Sequence, residues 1–394
     1  MDGFLDIDCT QVRKHRQDIN GDVFLTDRPE GSERTVCTLS DGLGSGVKAN
    51  VLANLTATMA QKYVLNDMNV ERAARIIMDT LPICARRKIS YATFSILDIE
   101  ARNHARIIEY DNPEFIFMRG NRAIEPETRS IHLGGDGTAE RKRMLRYAEI
   151  DLEIGDRIIV CTDGVTQSGM GTRRYPLGWR REQVIDFLAR EIEAEPEISS
   201  RELAAAVSSR AHSLDGFSSK DDITCSVVYC RRPRHSLVVT GPPYDENNDG
   251  YLVERIRRFT GKKIICGGTT ANIAAGHLGT KVDVDLSTMG DGIPPVARMD
   301  TIDLVTEGML TLNKTATFLE KHHEHFTSPK NGAEMLFNHF LDSDSVTFIV
   351  GSRINEAHQN PDMPRDMGIR RTLVRRIADV LRTYYLKEIA VEII

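Results

Sequence analysis

Leu152-Glu-Ile-Gly-Asp-Arg-Ile-Ile-Val-Cys-Thr-Asp-Gly164 carries an apolar run, Arg157 to Thr162, straight into the carboxylate of Asp163. Two further strand-linked acidic sites match it. Asp41-Gly42 follows Thr35-Val-Cys-Thr-Leu-Ser40, and Asp221-Asp222 precedes Ile223-Thr-Cys-Ser-Val-Val-Tyr229. Three apolar strands thus deliver carboxylates to loop positions, which is how an oxygen-only metal site is built. A hard-cation enzyme is the leading expectation.

Asp-Gly is also ordinary turn chemistry, because Asp tolerates a left-handed backbone and Gly prefers it. Seven such pairs start at Asp2, Asp41, Asp136, Asp163, Asp215, Asp249 and Asp291. A plain turn is the default at each. Context raises Asp41 and Asp163, since each follows a β-branched apolar run. Asp41 also leads into a glycine-rich turn and a long helical stretch.

At 394 residues the chain suits two domains. It is 41% apolar with a mean hydropathy of -0.31, as in a soluble globular protein. No apolar run approaches the roughly 20 residues of a membrane helix. The acidic start, Met1-Asp-Gly-Phe-Leu-Asp-Ile-Asp8, is unlike a signal peptide, so a cytoplasmic location is expected. The seven cysteines (Cys9, Cys37, Cys84, Cys161, Cys225, Cys230, Cys266) are scattered without C-x-x-C spacing and read as reduced core residues. A net charge of -6 gives no reason to expect nucleic-acid binding. Basic clusters at Arg141-Lys-Arg143, Arg173-Arg174, Arg231-Arg232 and Arg370-Arg371 lack interleaved aromatics and read as solvated surface.

The first half alternates strands and helices. Strands are expected at Asp22-Val-Phe-Leu25, Thr35 to Ser40, Tyr91 to Leu97, Ala105 to Tyr110, Phe115 to Met118 and Ile223 to Cys230. Val51, Leu52, Leu55, Met59 and Tyr63 recur at helical spacing over Val47 to Asn66. A second helix spans Glu71 to Leu81 and stops at Pro82. Two more are expected near Arg181 to Ile192 and Ser200 to Leu214. Arg231-Arg-Pro-Arg-His235 reads as a linker. A smaller α/β domain, residues 236–394, follows. Its strands are expected at Ser236 to Thr240, Lys263 to Cys266, Thr301 to Thr306 and Ser345 to Gly351. Its helices are expected at Tyr251 to Phe259, Thr315 to His322 and Ile369 to Tyr385.

The acidic set is Asp22, Asp41, Asp163 and Asp221. Carboxylates without His or Cys favour Mg²⁺ or Mn²⁺ over zinc. Two such ions would activate a bridging water and clamp phosphoryl oxygens. Asn20-Gly-Asp22, Ser40-Asp-Gly-Leu-Gly-Ser-Gly46, the 152–164 stretch and Lys220-Asp-Asp-Ile-Thr224 occur in the order seen in bacterial SpoIIE-type protein phosphatases. Residues 1–232 resemble that family, part of the metal-dependent PPM class of Ser/Thr phosphatases. The resemblance implies an α-β-β-α sandwich with two Mn²⁺ or Mg²⁺ ions between the sheets. By the same resemblance Asp41 would bridge both ions and the Gly42 carbonyl would bind one. Asp163 and Asp221 would hold the other, and Asp22 would bind directly or through water. The implied substrate is a phosphorylated protein, such as an anti-sigma-factor antagonist. The helices after the second motif would switch metal binding, and a homodimer is left open. Leu43 stands where eukaryotic-type members often carry a proton-donating His, so the leaving-group acid is unassigned. Arg13 and Arg16 are the candidates for the phosphate-gripping Arg of that class.

Other residues have two readings each. Asp222 either orients a ligand from behind or bonds to its own turn. Lys48 and Asn50 read as a solvated first helical turn, and Asn112-Pro113 as a strand-to-strand turn. His322, His323 and His325 with Glu324 read as a solvated helix end, since neighbours in a helix do not share a face. In the second domain Gly267-Gly-Thr-Thr-Ala-Asn-Ile273 follows a strand and opens a helix. Gly267, Gly268, Thr269 and Thr270 there make either a structural turn, with a threonine cap, or an anion site. Two further readings of the whole stand beside the protein phosphatase. One is a non-catalytic signalling scaffold on the same fold, and the other a small-molecule phosphohydrolase. The complete acidic set argues against the scaffold, because clustered like charges cost stability without a metal.

Overall fold

Ile158 and Val160 of β10 (Asp156–Cys161) face one way and Ile159 and Cys161 the other, yet all four are buried. A strand apolar on both faces must be covered on both, and here one face meets a second sheet and the other meets helices. The computed structural model describes residues 3–29, 32–80, 92–101, 103–133, 143–323, 325–353, 366–385 and 387–394. The Asp-Gly pairs at Asp2 and Asp136, Cys84, the helix stop at Leu81-Pro82, Tyr91, Arg141-Lys142 and Glu324 lie outside the described residues.

The chain divides into two compact units, Met1–Arg232 and Pro233–Ile394. In the first, β1 (Phe4–Val12), β11 (Ile223–Arg231), β10, β6 (Ile116–Arg119) and β7 (Arg122–Ile124) form one antiparallel sheet in that order. A second antiparallel sheet runs β2 (Asp22–Asp27), β3 (Thr35–Gly42), β4 (Ala92–Glu100), β5 (His104–Tyr110), β9 (Arg143–Asp151) and β8 (Thr128–Leu133). Leu5, Leu39, Leu97, Phe117, Ile158 and Val228 fill the space between the sheets. Outside the second sheet lie α1 (Gly46–Leu65) and α2 (Val70–Thr80), joined to it through Ala60, Val64, Ile77, Phe94 and Ile96. The first sheet is covered by α4 (Arg180–Ala194) and α5 (Ser200–Leu214) through Val184, Leu188, Leu203 and Val207. A one-turn helix, α3 (Asp163–Thr166), precedes them. This is the expected α-β-β-α sandwich.

Three local expectations are corrected. The buried face of α1 is Ala49, Ala53, Ala57, Ala60 and Val64, while Val47, Val51 and Leu55 are 62%, 58% and 46% exposed. Small residues face inward because the helix lies directly on the sheet: a Cβ on Gly42 would stand 2.0 Å from the Ala49 carbonyl oxygen. Asp41 is not at a loop position but in the β3 ladder, opposite Asp22 on one side and Thr93 on the other. The linker is shorter than expected, since Arg231 ends β11 and His235 begins β12 (His235–Thr240).

The second unit is a seven-stranded sheet. β16 (Ile302–Thr306), β13 (Lys262–Cys266), β12, β17 (Ser345–Val350) and β18 (Glu388–Ile393) run parallel in that order. Antiparallel β15 (Val296–Met299) and β14 (Asp283–Asp285) extend one edge. In chain order the parallel strands read 3-2-1-4-5, a doubly wound sheet. α6 (Asp249–Arg258) and α7 (Gly268–Leu278) cover one face, and α8 (Met309–Glu320), α9 (Gly332–Asp342) and α10 (Asp366–Thr383) the other.

Candidate functional site

Close backbone contacts bring the acidic loops together. The turn after β3 needs glycine at Gly44 (φ 114°) and Gly46 (φ 69°) to enter α1. At the end of the other sheet, a Cβ on Gly164 would stand 2.0 Å from the Asp222 carbonyl oxygen. The Asp163-Gly164 turn therefore presses on the Asp221-Asp222 turn. The sheets are tied through Asp22, whose Oδ2 accepts from Thr162 Oγ1 (2.8 Å) and Thr224 Oγ1 (2.7 Å) of the opposite sheet.

Asp22, Asp41, Asp163 and Asp221 form one electrostatic cluster with Asp41 at its centre. Burial first, then the charges of Asp22, Asp163 and Asp221, hold the Asp41 carboxyl well above the usual carboxylate range. Asp22 is 3% exposed and is pushed up to about 7, chiefly by burial, with Asp222 and Asp163 adding to it against the two threonine hydroxyls. Burial and Asp221 also raise Asp163, while Lys14 and Gln167 oppose the shift. Gln167 Nε2 donates to Asp163 Oδ2 at 2.8 Å, and Lys14 Nζ lies 3.3 Å from Asp221 Oδ1. Among the described residues no three His, Cys, Asp or Glu side chains surround one point as ligands of a single ion. The cluster is instead an extended row of oxygen donors short of positive charge.

A cleft of about 600 Å³ opens on the row, lined by Asp41, Leu43, Asn112, Asp163, Arg180 and Arg181 among others. Arg181 is fixed by Glu125 (2.8 Å) and the Phe115 carbonyl (3.1 Å). Arg180 pairs loosely with Glu182 at 3.6 Å.

Several sequence expectations change here. Asp222 holds a loop rather than its own turn: its carboxylate accepts the Lys14 N–H and the Gly21 N–H, each at 2.9 Å. Arg13 donates to the Asp18 carbonyl of its own loop (2.7 Å), and Arg16 sits at a positive φ of 62° in the same turn. Lys14, which the sequence did not single out, is a cation beside Asp221. Asn50 ties α1 to the first motif through the Asn20 carbonyl (2.9 Å), so it is not a merely solvated residue. Lys48 is exposed, as expected. Asn112 is buried beside the cleft, bonded to Thr93 and Ser95. Asp215 ends α5 and accepts from Gly169 N–H, Asp249 opens α6, and Asp291 is a left-handed turn (φ 53°). His322 packs on Tyr384, His323 on Phe318, and His325 pairs with Asp342 at 3.3 Å, so the three do not converge. Gly267 to Thr270 lie in the second unit, at the start of α7. No helix among the described residues is long and apolar enough to cross a membrane.

No curated protein matches the chain. Among solved structures it is similar to the PP2C phosphatase domain with a regulatory fragment of SpoIIE from Bacillus subtilis (16% identity, TM-score 0.47), over 58% of this chain and 64% of that one. It thus spans less than two thirds of that structure. It is similar to RsbX, solved in complex with magnesium (18%, TM-score 0.40), over 58% of this chain and 96% of that one. It is also similar to the PP2C domain of SiaA from Pseudomonas aeruginosa (15%, TM-score 0.42), over 56% and 85%. The family model for Stage II sporulation protein E (SpoIIE) matches residues 31–231, half of the chain, and the chain belongs to the SpoIIE family.

Proposed function

We propose that the first unit is a metal-dependent protein serine/threonine phosphatase acting on a phosphorylated signalling protein. The observation that carries this is the electrostatic coupling of Asp22, Asp41, Asp163 and Asp221, drawn from both sheets, beside a cleft that Asp41 and Asp163 line. The donor set fits hard divalent cations: it is all oxygen, Asp22 is buried, and neighbouring carboxylates help push the proton affinities of Asp22, Asp41 and Asp163 upward. Asp41, coupled to the other three, would be the shared ligand, with Asp163 and Asp221 holding one ion and Asp22 bound directly or through water. The Gly42 carbonyl is the neutral donor of the set. Mn²⁺ or Mg²⁺ held there would supply an activated water and neutralise phosphoryl charge.

The chain's own residues do the rest. Lys14 balances Asp221, and Arg180, on the cleft wall, meets the phosphate of the incoming phosphoserine or phosphothreonine. Asp222 fixes the Lys14 loop, and Thr162 and Thr224 orient Asp22. Leu43 brings no proton to the leaving oxygen, so departure relies on water and turnover is slow. The protein partner follows from family membership, with an anti-sigma-factor antagonist as the class of substrate. The test is phosphate release from phosphoserine and phosphothreonine peptides after chelation and after Mn²⁺ is restored. Release that survives exhaustive chelation, or none in either state, overturns the reading.

A further inference from the structure

We propose that the start of α7 in the second unit binds a phosphorylated small molecule that also carries hydroxyls, a nucleotide or a sugar phosphate. In doubly wound sheets ligands bind at the carboxyl ends of the parallel strands. Gly267 lies at that edge, directly after β13, and α7 is 11 residues long. Its N-terminal residue Gly267 (φ 135°) provides no side-chain cap. Its first backbone bond runs from Ala271 N–H to the Gly267 carbonyl (3.0 Å), so the Gly268 and Thr270 N–H groups lie outside the helix ladder, while the Gly267 N–H donates to the Thr306 carbonyl (2.9 Å). Together they form a concentration of positive partial charge suited to a phosphate.

Three further observations point to a ligand. Thr270 is 1% exposed, and its hydroxyl has no hydrogen-bond partner among the described residues. It faces the mouth of the turn, 3.5 Å from where a Cβ on Gly267 would stand. A buried hydroxyl left in this state calls for a partner that binds from outside. Gly268 has no structural need to be glycine: its φ is ordinary, and a Cβ there would meet nothing within 4 Å. The open space lies where a phosphate would approach the backbone.

The neighbouring loop sets the rest of the ligand. Glu307 follows β16, and a Cβ on the next residue, Gly308, would stand 3.6 Å from the Gly267 Cα. Glu307 Oε2 accepts the Leu310 N–H (2.9 Å), which leaves its other oxygen for a donor. A bare anion would meet only repulsion from this carboxylate. A ligand with hydroxyls beside its phosphate satisfies both loops. Thr240, the last residue of β12, has a second buried hydroxyl without a partner at the same edge.

The experiment is isothermal titration calorimetry on the full chain with ATP, ribose 5-phosphate and inorganic phosphate. Chelator is kept present so that the carboxylate row of the first unit holds no phosphate-binding metal. Binding of ATP or of ribose 5-phosphate is expected, and which of the two binds separates nucleotide from sugar phosphate. Gly268→Val should abolish it with the melting temperature unchanged. Thr270→Val, of equal shape, should keep or raise the melting temperature and weaken binding about tenfold, the loss of one hydrogen bond to a charged group. No heat from any of the three ligands overturns the proposal. So does binding unaltered in Gly268→Val, or inorganic phosphate binding as tightly as the larger ligands.

Discussion

Replacing Asp41 by Asn should stabilise the metal-free protein, and by an amount that depends on pH. The Asp22 carboxyl is pushed from the ordinary carboxylate range up to about 7, and Asp41 is also raised. An acid with a raised pKa in the fold binds its proton more tightly there than in the unfolded chain. Stability is therefore full below the unfolded pKa of about 4 and is lost as pH rises through about 7. Three pKa units at about 1.4 kcal/mol each put the ceiling for Asp22 near 4 kcal/mol. Asp41→Asn removes both the cost of burying the Asp41 charge and its repulsion with Asp22, Asp163 and Asp221, while the amide must itself be buried, and a net gain of roughly 1–2 kcal/mol is expected. For a unit of this size that is about 3–6 °C in melting temperature. Differential scanning fluorimetry in chelator should show Asp41→Asn above the parent by that margin near pH 8, and level with it only near pH 4 and below, as linkage requires. Adding Mn²⁺ should raise the parent's transition and leave the variant's in place. A variant that melts at or below the parent near pH 8, or a difference that does not change with pH, would refute the repulsion argument.

Hydrolysis of an aryl phosphate should require Mn²⁺ or Mg²⁺ and stop on chelation, which a colorimetric assay reads directly. Asp163→Asn and Asp41→Ala should each lower turnover by about 100-fold or more, while Asp291→Ala, at a plain turn, should leave it unchanged. Equal losses at all three positions would mean that turn chemistry has been mistaken for a site. Asp222→Ala removes the acceptor of two backbone N–H groups and should cost about 2–4 kcal/mol by urea denaturation. A chain ending at Arg232 should fold and retain metal-dependent hydrolysis, and an insoluble product would place the boundary elsewhere.

What was legible in the sequence was periodic or local. β10 and β11 announce themselves as β-branched apolar runs, and Asp163 and Asp221 stand at their ends. Helix α1 was legible in existence but not in orientation. Large apolar residues suggested one face, while the close approach of the helix to Gly42 selected the alanine face. The chain also hid β1, in which Asp6 and Asp8 interrupt the apolar pattern of an edge strand. Lys14 was not legible as a site residue, because long-range bonds place it, among them one from its backbone N–H to Asp222, 208 positions away. Thr162 and Thr224 could have been found. Each lies within two residues of a motif carboxylate, and a hydroxyl there is a natural donor to a carboxylate from another strand.

The bonds around the carboxylate row explain why Asp41 is the informative position. Asp22 is held by two threonine hydroxyls, Asp163 by Gln167 and Asp221 by Lys14. Substituting any of these three removes a charge and also disturbs a bond that positions a loop. Among the described residues Asp41 shares a side-chain hydrogen bond with Asp22 and accepts none from a hydroxyl, amide or cation. Its place is set by the β3 ladder and by the contact of Gly42 with α1. Its carboxylate therefore contributes repulsion to the metal-free fold and little else, so the backbone holds it ready for a cation. The same geometry makes the substitution clean: Asn keeps the strand and the shape, removes the charge, and can donate to Asp22. A gain in metal-free stability together with loss of metal response at this one residue would separate the charge of the site from its architecture.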